Sequence, residues 1–245
     1  MLRQAPCAAI ILTLAACGSS GPRPESSATQ PAPPAQSEPA GAQTYPLEGA
    51  PAAREVASSS TAPTAQATPG GPAVAEPPLP PEAVQQFDNA VAMVTAGNVD
   101  AAEQAFRALS TAYPSYSGPL VNLAILQAKA GKLPEAEQSL KSAIERKPDN
   151  AAAHNQLGIV YRRQGRFDAA EQAYTRAVQI DPNYANAHLN LGVLCDLYLQ
   201  QPQRALEAFE RYLALTSAPD ERVGAWVKEL KVRLESAQRA TGAGS

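Results

Sequence analysis

The chain has 245 residues, of which 23 are proline, and its 20 basic and 23 acidic side chains leave a net charge of −3. Charges of both signs are interspersed along the sequence, which argues against a basic surface for nucleic acid. Composition divides the chain unevenly, because fifteen of the prolines lie between Gly18 and Pro81. In chain order, we therefore expect a short leader, a proline-rich segment and a folded part.

The first 16 residues are typical of a secretory signal. Arg3 precedes a short apolar stretch that ends in the sequence Leu-Ala-Ala-Cys at residues 14–17. Because a helical membrane span needs about 20 apolar residues, this stretch is too short to cross a bilayer. The four-residue sequence at its end resembles the lipobox of bacterial lipoproteins.

The lipobox resemblance implies cleavage after residue 16 and lipidation of Cys17, with a diacylglyceryl group on its sulfur and a further acyl chain, such as palmitate, on its new amino group. No aspartate follows Cys17, which in that family implies the outer membrane. Two or more acyl chains give stable attachment. We therefore expect a lipid-anchored protein that faces the periplasm. Ordinary secretion, in which Cys17 has no special role, is the alternative.

Residues 17–81 follow as the lipid anchor and a linker. Apart from proline, this stretch consists mainly of Ala, Ser, Thr, Gln and Gly and has few large apolar side chains. Such a segment cannot bury enough surface to offset the entropy of ordering it. We predict a disordered Pro/Ala-rich linker with polyproline II character.

From residue 82 onwards the sequence repeats one pattern every 34 residues, in units 83–116, 117–150, 151–184 and 185–218. Small residues, a turn glycine, a large apolar residue and a closing proline recur at fixed positions. They are Ala90, Ala124, Gly158 and Gly192; Ala102, Ala136 and Ala170; Gly97, Gly131 and Gly165; Phe106, Leu140 and Tyr174; and Pro114, Pro148 and Pro182. This period predicts stacked helical hairpins, which usually bind other proteins.

The third unit resembles the tetratricopeptide repeat family through Leu157-Gly158, Tyr161, Gly165, Ala170, Tyr174, Ala177 and Pro182. The resemblance covers about residues 83–215 and implies an all-α fold, a right-handed α-solenoid of about four hairpins over 82–218. Gly165 is expected to have the positive φ of a helix C-terminal turn. Gly158 is expected where two helices approach closely.

The fourth unit departs from the pattern, because its turn, residues 198–203, lacks glycine and has one extra residue. Apolar residues then recur with helical spacing, and Asp220 is suited to cap the helix that they predict. We expect a capping helix over 219–239, with Trp226 in its packed core, and a disordered tail over 240–245.

The folded part offers little for chemistry. His154 and His188 stand one repeat apart, and a metal site would need more ligands than these two histidines supply. Cys195 has no partner for a disulfide in the folded part. We expect structural roles for all three residues, and we predict no metal, no cofactor and no enzymatic activity, an envelope enzyme being the remote alternative.

In the tetratricopeptide repeat family, the first helices of successive hairpins line a concave groove. The residues expected to face this groove are Phe87, Val91, Val121, Asn122, Ile125, Asn155, Gln156, Ile159, Arg162, Arg163, Leu189, Asn190 and Val193. The amides of Asn122, Gln156 and Asn190 share one position and could hydrogen-bond an extended backbone, or they are simply solvated. Only Asn122 matches the family's carboxylate clamp, although Arg162 and Arg163 could contact an acidic segment.

These expectations together predict an outer-membrane-anchored scaffold that binds protein segments and assists assembly of an envelope machine, such as a type IV or Flp pilus. The layout is similar to that of pilotin-like and Flp pilus assembly lipoproteins. The alternative is a periplasmic adaptor that recruits peptidoglycan hydrolases or other cell-wall enzymes. The expected partners are envelope proteins and, through Cys17, the membrane; nucleic acid and metal are not expected.

Overall fold

The structure is a computed structural model that describes residues 80–217 and 220–242. All regular elements in these ranges are helices. They are α1 (Pro81–Thr95), α2 (Val99–Ala112), α3 (Gly118–Lys129), α4 (Leu133–Arg146), α5 (Ala151–Arg163), α6 (Phe167–Ile180), α7 (Ala185–Leu197), α8 (Pro202–Leu215) and α9 (Glu221–Gly242). The predicted signal peptide, the lipidation site Cys17 and nearly all of the linker lie outside the described residues.

The first eight helices pair in chain order into four hairpins, α1 with α2, α3 with α4, α5 with α6, and α7 with α8. The second helix of each hairpin also packs against the first helix of the next, so the hairpins stack in sequence. Short turns join the partners, which therefore run antiparallel. The predicted all-α solenoid of four hairpins followed by a further helix is confirmed for the part of the chain that is described.

Close contact within the later hairpins depends on glycine. A Cβ atom added to Gly158 would lie 2.5 Å from the ring of Tyr174, and one added to Gly192 would lie 2.6 Å from the ring of Phe209. Both aromatic side chains are completely buried. Each glycine therefore lets an aromatic ring lie directly against the backbone of the facing helix, at interior packing density.

The turns between paired helices follow the predicted pattern in the first three hairpins. Gly97, Gly131 and Gly165 have φ values of 79°, 77° and 74°. In the fourth hairpin, Gln200 takes the left-handed conformation with φ 53°. A residue other than glycine is strained in the left-handed conformation, so the extra residue in the fourth turn is accommodated at a conformational cost.

Ion pairs join successive hairpins at one repeated position. Glu103 pairs with Lys132 at 3.6 Å, and Glu137, one repeat later, pairs with Arg166 at 2.9 Å. Burial alone would raise the pKa of Glu137, but hydrogen bonds from Lys141, Gln164 and Arg166 lower it. In the next interface the residue one repeat beyond Arg166 is Gln200, which is uncharged. Arg204 pairs with Glu171 there instead.

The last helix, α9, packs against α8 and covers the end of the stack. Asp220 caps it, since its carboxylate accepts hydrogen bonds from the backbone N–H of Arg222 at 3.1 Å and of Val223 at 3.4 Å. Trp226 lies against Phe209, with ring centroids 5.6 Å apart. The apolar residues Val223, Val227 and Leu230 are buried there.

The predicted end of this helix at residue 239 was too early. The helix continues to Gly242, so residues 240–242 are helical and not part of a disordered tail. An ion pair between Arg239 and Glu235, four residues apart, supports the last turns. Among the described helices, none combines the length and apolar character that a membrane span requires.

Candidate protein-binding face

The first helices of the hairpins form one side of the stack. α3 lies beside α5, and α5 lies beside α7. We call this side, formed by α1, α3, α5 and α7, the first-helix face. It carries the residues that the sequence predicts for the groove, and the structure divides these residues into three groups by exposure.

Five of the predicted residues are buried, seven are half-buried and one is exposed. The buried ones are Val121, Asn122, Asn155, Arg162 and Val193. The half-buried ones are Phe87, Val91, Ile125, Gln156, Ile159, Leu189 and Asn190, and the exposed one is Arg163. The accessible residues of this predicted set are therefore mainly apolar, with Gln156, Asn190 and Arg163 as the polar ones.

The amides predicted to bind an extended backbone differ in their surroundings. Asn122 donates a hydrogen bond to the carbonyl of Gly118, one turn earlier in its own helix, at 3.1 Å. Asn190 donates to the side-chain oxygen of Asn155 at 2.9 Å, which links α7 to α5. Gln156 forms no side-chain hydrogen bond with the residues that the structure describes. Of the three amides, it is the one that packing leaves available, and binding by all three stays a prediction.

The two arginines of α5 point to different neighbours. Arg163 donates to the carbonyl of Ala128, near the end of α3, at 2.6 Å. Arg162 is only 5% exposed, yet its Nε atom has no hydrogen-bond partner among the described residues. The buried hydroxyl of Tyr174 on α6 contacts the Arg162 side chain, but not in the geometry of a good hydrogen bond. A buried polar atom without a partner, such as Arg162 Nε, is unusual in a protein interior.

These two side chains are neighbours. Burial raises the pKa of the Tyr174 phenol, and the charge of Arg162 and its hydrogen-bonding contact with the phenol partly oppose that rise. From its place in the repeat, Tyr174 is expected only to pack, because the first two repeats carry Phe106 and Leu140 at the same position. A hydroxyl in a column of otherwise apolar side chains was the signal that could have drawn attention to a polar site.

The two histidines have equivalent structural positions. The Nε2 atoms of His154 and His188 lie 3.0 Å from the carbonyl oxygens of Pro148 and Pro182. A carbonyl can only accept, so the ring nitrogen donates and each histidine ties the start of a first helix to the preceding turn. Burial lowers the pKa of His154, and the bond to Pro148 opposes that shift.

Cys195 is buried, and burial raises the pKa of its thiol, so it has little thiolate character. No group of three or more potential metal ligands occurs within residues 80–217 and 220–242. The predicted groove residues therefore offer contact with apolar groups, hydrogen bonding through Gln156, and charge through Arg162 and Arg163.

Comparisons with known proteins agree with this architecture. Tetratricopeptide repeat models match residues 121–185 and 161–225. No curated protein sequence matches the chain significantly.

Solved structures resemble the fold at low sequence identity. The MamA protein is 24% identical, with a TM-score of 0.52 over 64% of this chain and 86% of MamA. The thermophilic tetratricopeptide repeat protein TTC0263 of Thermus thermophilus is 23% identical, with a TM-score of 0.52 over 62% of this chain and 82% of that protein. PilF of Pseudomonas aeruginosa is 22% identical, with a TM-score of 0.57 over 63% of this chain and 69% of PilF.

At these identities the structural likeness bears on the fold alone. Together with the model matches and the stacked hairpins, it establishes that this chain contains tetratricopeptide repeats.

Proposed function

We propose that this chain is a scaffold that binds segments of other proteins along the first-helix face. The observation that carries the proposal is a strip of apolar side chains at one repeated position. Val91, Ile125 and Ile159 stand 34 residues apart on α1, α3 and α5 and are all half-buried. A partly exposed apolar position that recurs on three first helices, together with the amide of Gln156, suits an extended polypeptide.

Site-specific photocrosslinking in cells tests this proposal. A photoreactive residue at Ile125 or Ile159 in the full-length protein should give discrete protein adducts. The matched control is Val232 on α9, which is apolar and 64% exposed but lies outside the first-helix face. Identical adducts from all three positions, or none from the first two, would contradict a binding role for this face.

We propose further that the scaffold is lipid-anchored at Cys17 in the outer membrane, facing the periplasm. The support is the Leu-Ala-Ala-Cys sequence at residues 14–17, with Gly18 after it. Replacing Cys17 with Ala should move the protein from the membrane fraction to the periplasmic fraction, because the acyl chains supply the attachment. Retention of the Cys17→Ala variant in membranes would show that another attachment exists.

The pathway proposed for this scaffold is assembly of an envelope machine such as a type IV or Flp pilus. This step rests on the layout of lipid anchor, linker and repeats. The crosslinked partners decide it: adducts with pilus or secretin components would support it. Adducts with peptidoglycan hydrolases would instead make the chain a cell-wall adaptor.

A further inference from the structure

We propose that the buried guanidinium of Arg162 is a binding site for a carboxylate of the bound polypeptide, an Asp or Glu side chain flanked by apolar residues. This inference rests on the proposed function and names the chemistry of the segment that the first-helix face takes. It starts from Arg162 Nε, which is buried without a hydrogen-bond partner among the described residues and lies beside the buried hydroxyl of Tyr174.

The same position in the next repeat shows what such a group normally requires. Asp196 stands one 34-residue repeat after Arg162, and its carboxylate forms an ion pair with Arg233 on α9. The first two repeats carry the apolar residues Val94 and Ala128 at this position. Of the two charged residues at this repeated position, Arg162 is the one that forms no ion pair within the described residues.

An unpaired buried charge is costly, and a nearby anion offsets that cost most effectively. Arg162 and Tyr174 are both able to donate hydrogen bonds, so the complementary ligand is an acceptor. A guanidinium binds a carboxylate through two parallel N–H···O bonds, and its single charge matches that of a carboxylate. A phosphate would call for a second free cation, and the adjacent Arg163 is already bonded to the Ala128 carbonyl.

The location of Arg162 connects the carboxylate to the first-helix face. Arg162 follows Asn155 by seven residues, two helical turns, so both lie on the side of α5 that faces α7. Asn155 indeed hydrogen-bonds to Asn190 of α7. Half-buried Ile159 and Leu189 stand on the two helices that border this seam. A peptide on the face would therefore place apolar side chains on either side of its carboxylate.

The test uses short peptides selected from a random display library against the full-length protein. Each selected peptide is resynthesised with every Asp changed to Asn and every Glu changed to Gln, and affinities are measured by calorimetry. For one acidic position the change should weaken binding about tenfold or more, as expected when one partner of a buried charge pair is removed. That loss should nearly vanish in Arg162→Met, which keeps the length of the side chain without its charge.

The control variant is Arg163→Met, which removes the neighbouring charge and should retain the preference for the acidic peptide. An acid-to-amide penalty that is unchanged in Arg162→Met would overturn the inference while leaving peptide binding by the face intact. Failure to select any peptide, or selected peptides that are insensitive to Ile159→Glu, would instead contradict the proposed function.

A second measurement does not depend on the peptides. The Nε–H resonance of Arg162, assigned by its loss in Arg162→Lys, should shift saturably with sodium glutarate and not with sodium chloride of equal ionic strength. No saturable shift would mean that the cluster binds water only, which overturns the inference. A glutarate response without peptide binding would indicate that the site binds a small free carboxylate. It would overturn the inference that the carboxylate belongs to a polypeptide.

Discussion

In the third repeat Arg162 is buried without a charge partner, whereas in the fourth repeat Asp196, at the same position, is paired with Arg233. The difference arises from the helices that pack beside each hairpin. The fourth hairpin is covered by α9, whose sequence is outside the repeat pattern and supplies the needed cation. A polar group between repeats thus depends on its neighbour, and one whose neighbour offers nothing is a candidate for an external ligand.

The third and fourth repeats also differ in the turn that joins their two helices. Gly165 has φ 74°, and its counterpart, Gln200, has φ 53° in a turn that is one residue longer. The ion pair between hairpins survives this change, because Arg204 replaces the cation that Arg166 provides one repeat earlier. The stack therefore tolerates a strained turn when the contacts between its helices are preserved.

The largest effect on stability should come from adding a methyl group at the glycines against which aromatic rings pack in the third and fourth repeats. Gly158→Ala would bring its Cβ within 2.5 Å of the buried Tyr174 ring, and overpacking of this kind costs about 1–3 kcal/mol. Gly192→Ala, facing Phe209 at 2.6 Å, should cost a similar amount. Urea unfolding followed by circular dichroism measures both losses.

The second repeat provides the compensating change, because it combines Ala124 with Leu140 at these two positions. Adding Tyr174→Leu to Gly158→Ala should therefore recover stability, with a coupling energy of about 1 kcal/mol or more between the two sites. Purely additive losses would mean that the ring and the added methyl group do not meet.

Charge changes at the shared position should have opposite signs in the two repeats. Arg162→Met removes a buried charge that has no ion-pair partner among the described residues and should raise the free energy of unfolding by about 1 kcal/mol. Asp196→Asn breaks a pair whose arginine is half exposed, so it should lower that free energy by about 0.5–1 kcal/mol. Equal destabilisation by both changes, measured by urea unfolding, would show that Arg162 has a stabilising contact.

The 34-residue period was enough to predict the hairpins, because small residues at fixed spacing leave few other ways to pack helices. The positive φ of Gly165 and the cap at Asp220 also followed from local chemistry. The candidate site was less predictable. Exposure at the groove depends on how the hairpins stack, so sequence could not reveal that Asn155 bonds to Asn190 or that Arg162 is buried.

The strain in the fourth turn should have a smaller effect on the free energy of unfolding, and a glycine should relieve it. Gln200→Gly should raise the free energy of unfolding by about 0.5–1 kcal/mol, because glycine adopts positive φ without a steric cost. Gly165→Ala should lower it by a similar amount; its added Cβ would touch no other atom, so the loss would be conformational. If Gln200→Gly were destabilising, the glutamine side chain would have a role beyond the turn.

The smallest effect should be a pH dependence in the third repeat. Burial lowers the pKa of His154 in the folded protein, so folding favours the neutral ring. The stability due to this residue is therefore complete above the unfolded pKa of about 6.5 and decreases as the pH falls, until the folded form is protonated as well. Unfolding free energies of the wild type and His154→Gln, measured from pH 8 to about pH 5, should converge as the pH falls. A gap between the two proteins that stays constant across this range would show that His154 titrates alike in the folded and unfolded chains, because only a difference in proton binding makes stability depend on pH.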